Sequence, residues 1–211
     1  MVRSDKTLFA GDDARLLLIR PPKSNSARCL MDKAITVRQL EDRMRPGAWS
    51  GGGFLGASES LEAVMLQDEL TLRRLGISYK QIGDALAKVL SAMYERHWER
   101  HDRWRDRIIL RDASTIPSFS LDNLPSVEDG FLDGNLQVFM TQWRGFQVCP
   151  WECADAAWGS FDFLILNRQL GEFVTGPGLV VHLIREHHFF EGMEGPYRSD
   201  PAKLIRVLEL V

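Results

Sequence analysis

Two cysteines and three histidines near the C-terminal end are the residues of this sequence best suited to chemistry. Three residues separate Cys149 from Cys153, and after a gap of 28 residues come His182, His187 and His188. Thiolate sulfur and neutral imidazole nitrogen are the donors that hold zinc in closed, four-ligand structural sites. The types and spacing of these residues therefore predict one zinc ion bound by two cysteines and two histidines.

The position of each histidine on a predicted helix decides which two are ligands. Successive residues of an α-helix are about 100° apart around its axis. His187 falls on the apolar stripe of this helix, His182 lies at the edge of the stripe, and His188 lies at its far side. A last turn tightened to a 3₁₀-helix would let His182 and His187 converge. We predict that the ligands are Cys149, Cys153, His182 and His187, with His188 as the substitute for His187.

The elements around these ligands are predicted to follow the order turn, hairpin, helix. Two apolar strands, residues 161–166 and 172–174, flank a turn, and a helix follows Pro177 and stops at Gly192. This layout resembles the two-Cys two-His ββα zinc finger over about fifty residues, from Cys149 to about Gly192. The resemblance implies a structural zinc ion that joins the cysteine turn to the helix.

The spacing differs from that of an ordinary finger. The gap between the cysteine pair and the histidine pair is about twice the usual ~12 residues. The resemblance therefore implies longer strands and a larger module, and no residue maps onto the base-contacting helix positions of a finger. Glu186, next to His187, is placed to orient a ligand imidazole.

The pattern of predicted helices and strands along the rest of the chain indicates an α+β protein. A mainly helical N-terminal part precedes an antiparallel hairpin or sheet with helices, and Pro, Gly and acidic residues mark a linker between them. The predicted organisation has four stretches: an irregular N-terminal segment (1–57), a helical hairpin or bundle (58–111), a linker (112–135), and a β-rich module with two C-terminal helices (136–211).

Local signals place the individual elements. A short helix is predicted from Thr36 to Met44, and a longer one starts at the capping residue Ser58 and ends at Gly76. The next helix opens with a capping box and runs to about Arg107, and the last helix is capped by Asp200. Strands at 136–143 and 146–148 are predicted to pair through the turn between them.

Two other patterns suggest different chemistry. Residues 75–86 look like the first helix of a helix-turn-helix motif, but Ala87-Lys88 continues the helical pattern where that motif has its turn. A helix of a bundle is the better interpretation. His97 and His101 resemble the zinc-peptidase pair only superficially, because Trp98 stands where the catalytic glutamate must be.

The composition of the chain narrows the range of functions that we expect. The net charge of −3 argues against a protein that coats nucleic acid with a broadly basic surface. The longest early apolar run, residues 16–19, is too short to span a bilayer. Three cysteines fit a reducing compartment. We expect a cytoplasmic, non-enzymatic binding or regulatory protein with structural zinc, an unknown protein or nucleic-acid partner and no membrane contact. The alternatives are a metal-dependent hydrolase with three ligands plus water, and a DNA-binding regulator through residues 61–97.

Overall fold

A computed structural model of the chain describes residues 35–101, 131–142, 147–153 and 161–211. Within these ranges the fold is α+β, as predicted, with helices in the N-terminal part and a four-stranded antiparallel sheet plus helices in the C-terminal part. The elements are α1 (Val37–Met44), α2 (Leu61–Leu75), α3 (Tyr79–His101), β1 (Phe131–Asp133), β2 (Leu136–Gln142), β3 (Phe161–Asn167), β4 (Glu172–Pro177), α4 (Val180–His187) and α5 (Pro201–Val207).

Capping residues set most of the helix starts. Thr36 and Ser78 each begin a helix with a reciprocal box, for example the Ser78 N–H donating to Gln81 Oε1 at 2.9 Å. The second helix is capped by Ser60, two residues after the predicted cap at Ser58. The reason is that Glu59 lies in the preceding loop, where its carboxylate accepts hydrogen bonds from the Gly56 and Glu194 N–H groups.

Helix α3 runs without a break through Ala87-Lys88 as far as His101. The separate recognition helix that a helix-turn-helix needs therefore does not form there. Gly83 on this helix instead allows α4 to approach closely, since a Cβ atom at Gly83 would lie 2.3 Å from Arg185 Cγ. The side chains of His97 and His101 lie outside the described residues.

The sheet has the order β1-β2-β3-β4, and each neighbouring pair is antiparallel. Strand β1 falls at the end of the stretch predicted as a linker, most of which lies outside the described residues. The predicted pairing of 136–143 with 146–148 is wrong for Gln147 and Val148, which are not in a strand. Both edges of β2 are already paired, one with β1 and the other with β3, so no edge is left for them.

Buried side chains form two cores on either side of α4. The sheet-side core contains α3, the sheet and α5, together with Val180 and Ile184 of α4. The site-side core contains Leu183 of α4 and Leu179, the residue just before this helix, packed against α1, the start of α2 and the segment around the two cysteines. This helix is consequently buried around most of its circumference, which explains why its sequence shows a broad apolar face.

Helix α4 ends at His187 and not at the predicted Gly192. His188 adopts a left-handed conformation with φ of 57°, and the Phe189 N–H donates to Leu183 O at 3.1 Å. This closes the helix without glycine. Phe189 then packs in the site-side core and Phe190 in the sheet-side core.

The final helix, α5, begins as predicted, with the Asp200 side chain accepting from the Lys203 N–H at 2.8 Å and with Pro201 in the first turn. In the described part of the chain, no helix is long and apolar enough to cross a membrane. The division into four sequence stretches stays a prediction.

Candidate metal centre

The segment from Cys149 to Cys153 forms a tight turn that presents sulfur toward α4. The Glu152 N–H donates to Cys149 O at 2.8 Å, and Glu152 takes a left-handed conformation with φ of 57°. The backbone N–H groups of Trp151 and Cys153 both donate toward the Cys149 sulfur. Such hydrogen bonds favour the thiolate, so the turn is built to support a charged sulfur.

Both predicted histidine ligands belong to α4, and the second of them is the last residue of this helix. His182 and His187 are both buried, and their rings meet edge to face with centroids 5.1 Å apart. The helix stays an α-helix up to His187, so the predicted 3₁₀ tightening is wrong. The imidazole side chains are long enough to bring the two Nε2 atoms to 3.2 Å without it.

All four predicted ligands converge on one point. Cys149 Sγ and Cys153 Sγ each lie 3.3 Å from His187 Nε2, and the four donor atoms all lie within 4.8 Å of one another. A tetrahedral zinc site would place a sulfur and a nitrogen about 3.5 Å apart and two nitrogens about 3.3 Å apart, from Zn–S of about 2.3 Å and Zn–N of about 2.05 Å. The three distances from His187 Nε2 to the other donor atoms, 3.2–3.3 Å, are close to the corresponding edges of that tetrahedron.

Hydrogen bonding alone does not account for this arrangement. A neutral imidazole Nε2 carries either one proton or one lone pair. His187 Nε2 is nevertheless approached by Cys149 Sγ, Cys153 Sγ and His182 Nε2, all at 3.2–3.3 Å. One proton or lone pair cannot bond well to three neighbours, whereas a cation at the centre would be bound by all four donor atoms.

Burial sets the protonation of the site. Burial lowers the pKa of His187 to about 3, with smaller contributions from His182 and His188, so its imidazole is neutral at pH 7 as a ligand must be. Burial also raises the pKa of Cys149 to about 11, which the two backbone hydrogen bonds oppose. Without a cation this thiol keeps its proton, and a metal has to displace it.

The oxidation state of the sulfurs also matters. Cys149 is a buried free thiol, whereas Cys153 is disulfide-bonded in the structure. A sulfur in a disulfide cannot act as a zinc thiolate. Cys153 can therefore complete the four-donor group only when it is reduced.

Neighbouring aromatic and charged residues fix the site. The Trp151 ring stacks on the His187 imidazole with centroids 4.0 Å apart and an interplanar angle of 4°. Only 2% of Trp151 is exposed, so its ring is part of the core. Arg43 of α1 donates to Pro150 O at 3.3 Å and pairs with Glu152 at 3.4 Å. Its location gave no sequence signal, since more than a hundred residues separate it from the turn.

His188 takes no part in the cluster. Its ring stacks on Tyr79, with centroids 4.2 Å apart and an interplanar angle of 8°. His187 is therefore the histidine that the fold brings to the cysteines, as the periodicity of the helix predicted. The orienting role of Glu186 stays a prediction.

Comparison of the chain with protein-family models, with curated proteins and with solved structures gave no match. The chemistry of the site therefore rests on the geometry of its own residues.

Proposed function

We propose that the chain is a cytoplasmic, non-enzymatic binding or regulatory protein whose site-side core is stabilised by a structural zinc ion bound to Cys149, Cys153, His182 and His187. The observation that carries the proposal is the convergence of three donor atoms on His187 Nε2 at 3.2–3.3 Å. Two thiolates and two neutral imidazoles are a donor set typical of structural zinc.

The closed character of the site supports a structural over a catalytic role. A catalytic zinc ion keeps one coordination position for water or substrate. Here all four donor residues are buried, with between 1% and 8% of each exposed. No described residue favours the hydrolase alternative, and the unbroken α3 does not favour the DNA-binding one.

The zinc ion would act as a cross-link between distant parts of the sequence. The cysteine turn contacts α1 through Arg43, and the histidines belong to the helix that separates the two cores. Fixing these segments relative to one another would give a stable surface for a partner. The net charge of −3 favours a protein partner over a nucleic acid, because phosphate binding requires clustered basic residues.

Metal analysis of the reduced, tag-free protein tests the proposal. We expect one zinc ion per chain in the wild-type protein and a loss of zinc in Cys149→Ser and in His187→Ala. The matched control is His188→Ala, which removes the adjacent imidazole without touching the cluster and should leave one zinc ion bound.

Two results would contradict the proposal. One is a folded, fully reduced wild-type protein that takes up no zinc when the ion is supplied. The other is zinc that survives Cys149→Ser and His187→Ala, since the ion would then be bound elsewhere. Thiol counting on each sample shows whether Cys153 is reduced, so an oxidised preparation is not mistaken for a negative result.

A further inference from the structure

A second buried group lies in the segment of residues 188–199, which connects α4 to α5. Glu191 is 0% exposed and, among the described residues, neither of its carboxyl oxygens has a hydrogen-bond partner. Its backbone has a φ of 68°, a left-handed conformation that residues with a side chain rarely adopt. Its carbonyl oxygen accepts a hydrogen bond from Arg198 Nη1 at 2.6 Å, which helps to hold this conformation.

The charges around Glu191 do not neutralise a carboxylate. Arg198 is already paired with Asp68 of α2, a buried residue that accepts hydrogen bonds from both Nη atoms of the guanidinium. The negative charge of Asp162 of β3 further disfavours an ionised Glu191, and both acids raise the pKa of Tyr197. An ionised Glu191 would therefore be a buried charge beside another acid, without a cation of its own among the described residues.

We propose that Glu191 is a proton-dependent switch: the protonated carboxyl lets residues 188–199 close over the junction of the two cores, and loss of the proton opens this segment. The switch depends on the burial and the missing partners of one side chain. It is independent of whether zinc binds at the cysteine–histidine site.

The segment is held by a small number of bonds that an opening motion would break. The Gly192 N–H donates to Phe54 O at 2.7 Å, the Ser199 hydroxyl donates to Thr175 O at 3.2 Å, and the Glu194 N–H donates to Glu59 Oε1 at 3.1 Å. At its start, Phe189 and Phe190 enter the site-side and sheet-side cores respectively. Release of this segment would uncover the place where the two cores meet.

The direction of the pH effect follows from burial. Burial raises the pKa of Glu191 well above its usual value; Asp162 adds to the rise and Arg198 opposes it. The closed state thus binds the proton more tightly than the open state, in which the carboxyl reaches water. The contribution of Glu191 to the stability of the closed segment is complete below the ordinary pKa of a glutamate and decreases as the pH rises toward the raised pKa.

Hydrogen exchange of the full chain at a series of pH values tests the switch. After correction for the intrinsic pH dependence of exchange, we expect the opening constant of residues 188–199 to increase up to tenfold per pH unit between the ordinary pKa of a glutamate and the raised pKa of Glu191, and to level off above it. Glu191→Gln keeps the shape of the side chain and cannot ionise, so the opening constant of this variant should not increase with pH. Glu194→Gln is the matched control, because Glu194 is an exposed glutamate in the same segment, and it should behave like the wild-type protein.

The proposal is overturned if Glu191→Gln and the wild-type protein show the same pH dependence in this segment. If Glu191→Gln does not fold, the wild-type profile alone decides. An opening constant that rises with pH in residues 188–199 but not in β3 supports the switch, and equal profiles in both regions overturn it.

Discussion

The two cores of this protein are stabilised in different ways. The sheet-side core is lined by β2, β3 and β4, whose continuous ladders satisfy the backbone, and by the long helix α3. The site-side core is lined by the short helix α1, the loop residues Phe54 and Leu55, and the cysteine turn. Small, irregular cores bury too little apolar surface to be stable alone and commonly need a metal or a disulfide. The two cysteines of the candidate metal site thus belong to the core with the less regular structure, and helix α4 brings the two histidines to them.

We expect removal of zinc to have the largest effect on the difference in stability between the two cores. Structural zinc contributes about 10–16 kcal/mol of binding free energy in peptides that fold around it, as much as the whole stability of an ordinary domain. After chelation of the reduced protein we expect fast hydrogen exchange at Phe54, Leu55 and Glu152, whose N–H groups are bonded within the site-side core. Amides of the β2–β3 ladder should stay protected.

The control for this experiment is re-addition of zinc, which should restore slow exchange at the same three amides. Equal loss of protection in both cores would mean that they unfold as one cooperative unit. Unchanged protection in the site-side core would mean that packing alone is sufficient there.

Two matched leucine substitutions, one in each core, test the same difference in stability with a smaller expected effect. Leu183 of the site-side core and Leu204 of the sheet-side core both lie on helices and are 0% exposed. In the zinc-bound protein, each change to alanine should cost about 3 kcal/mol of unfolding free energy. Without zinc, Leu204→Ala should cost the same, whereas Leu183→Ala should cost much less, because its surroundings are already open.

Urea denaturation of both variants, with and without zinc, measures these costs. If Leu183→Ala is as costly without zinc as with it, the site-side core stays packed in the absence of the metal. That result would separate the stability of this core from the cysteine–histidine site.

Sequence reasoning succeeded where a local signal coincides with the chemistry. Helix periodicity placed His187 on the buried face, and this is the histidine that meets the cysteines in the structure. The capping box at Ser78 and the cap at Asp200 were correct for the same reason, because each depends on residues three positions apart. Cysteine and histidine are also uncommon enough in this chain to stand out.

Sequence reasoning failed where distant segments decide the outcome. One neighbour of β2 in the sheet is β3, and no local turn signal predicts this pairing. The segment that contains the cysteine turn separates the two strands in the sequence. The end of α4 was misplaced because His188 adopts a left-handed conformation that is usually signalled by glycine. Arg198 does not neutralise Glu191 because its guanidinium pairs with Asp68, and Arg198 and Asp68 are 130 positions apart in the sequence.

The smallest effect concerns the proton that zinc must displace. Burial raises the pKa of Cys149 to about 11 and lowers that of His187 to about 3, so near neutral pH the thiol holds a proton and His187 holds none. Zinc binding therefore releases the Cys149 proton, and higher pH favours it. We expect the apparent zinc affinity to increase at least tenfold, about 1.4 kcal/mol, for each unit between about pH 6 and pH 8.

Competition with a chelator of known pH dependence measures this slope, and calorimetry in buffers of different ionisation enthalpy counts the protons released. His188→Ala is again the matched control and should give the wild-type slope, because its ring stacks on Tyr79 away from the donors. An affinity that does not change with pH would show that no thiol proton is displaced. The metal would then not be bound by the Cys149 sulfur, and the site-side core would need another source of stability.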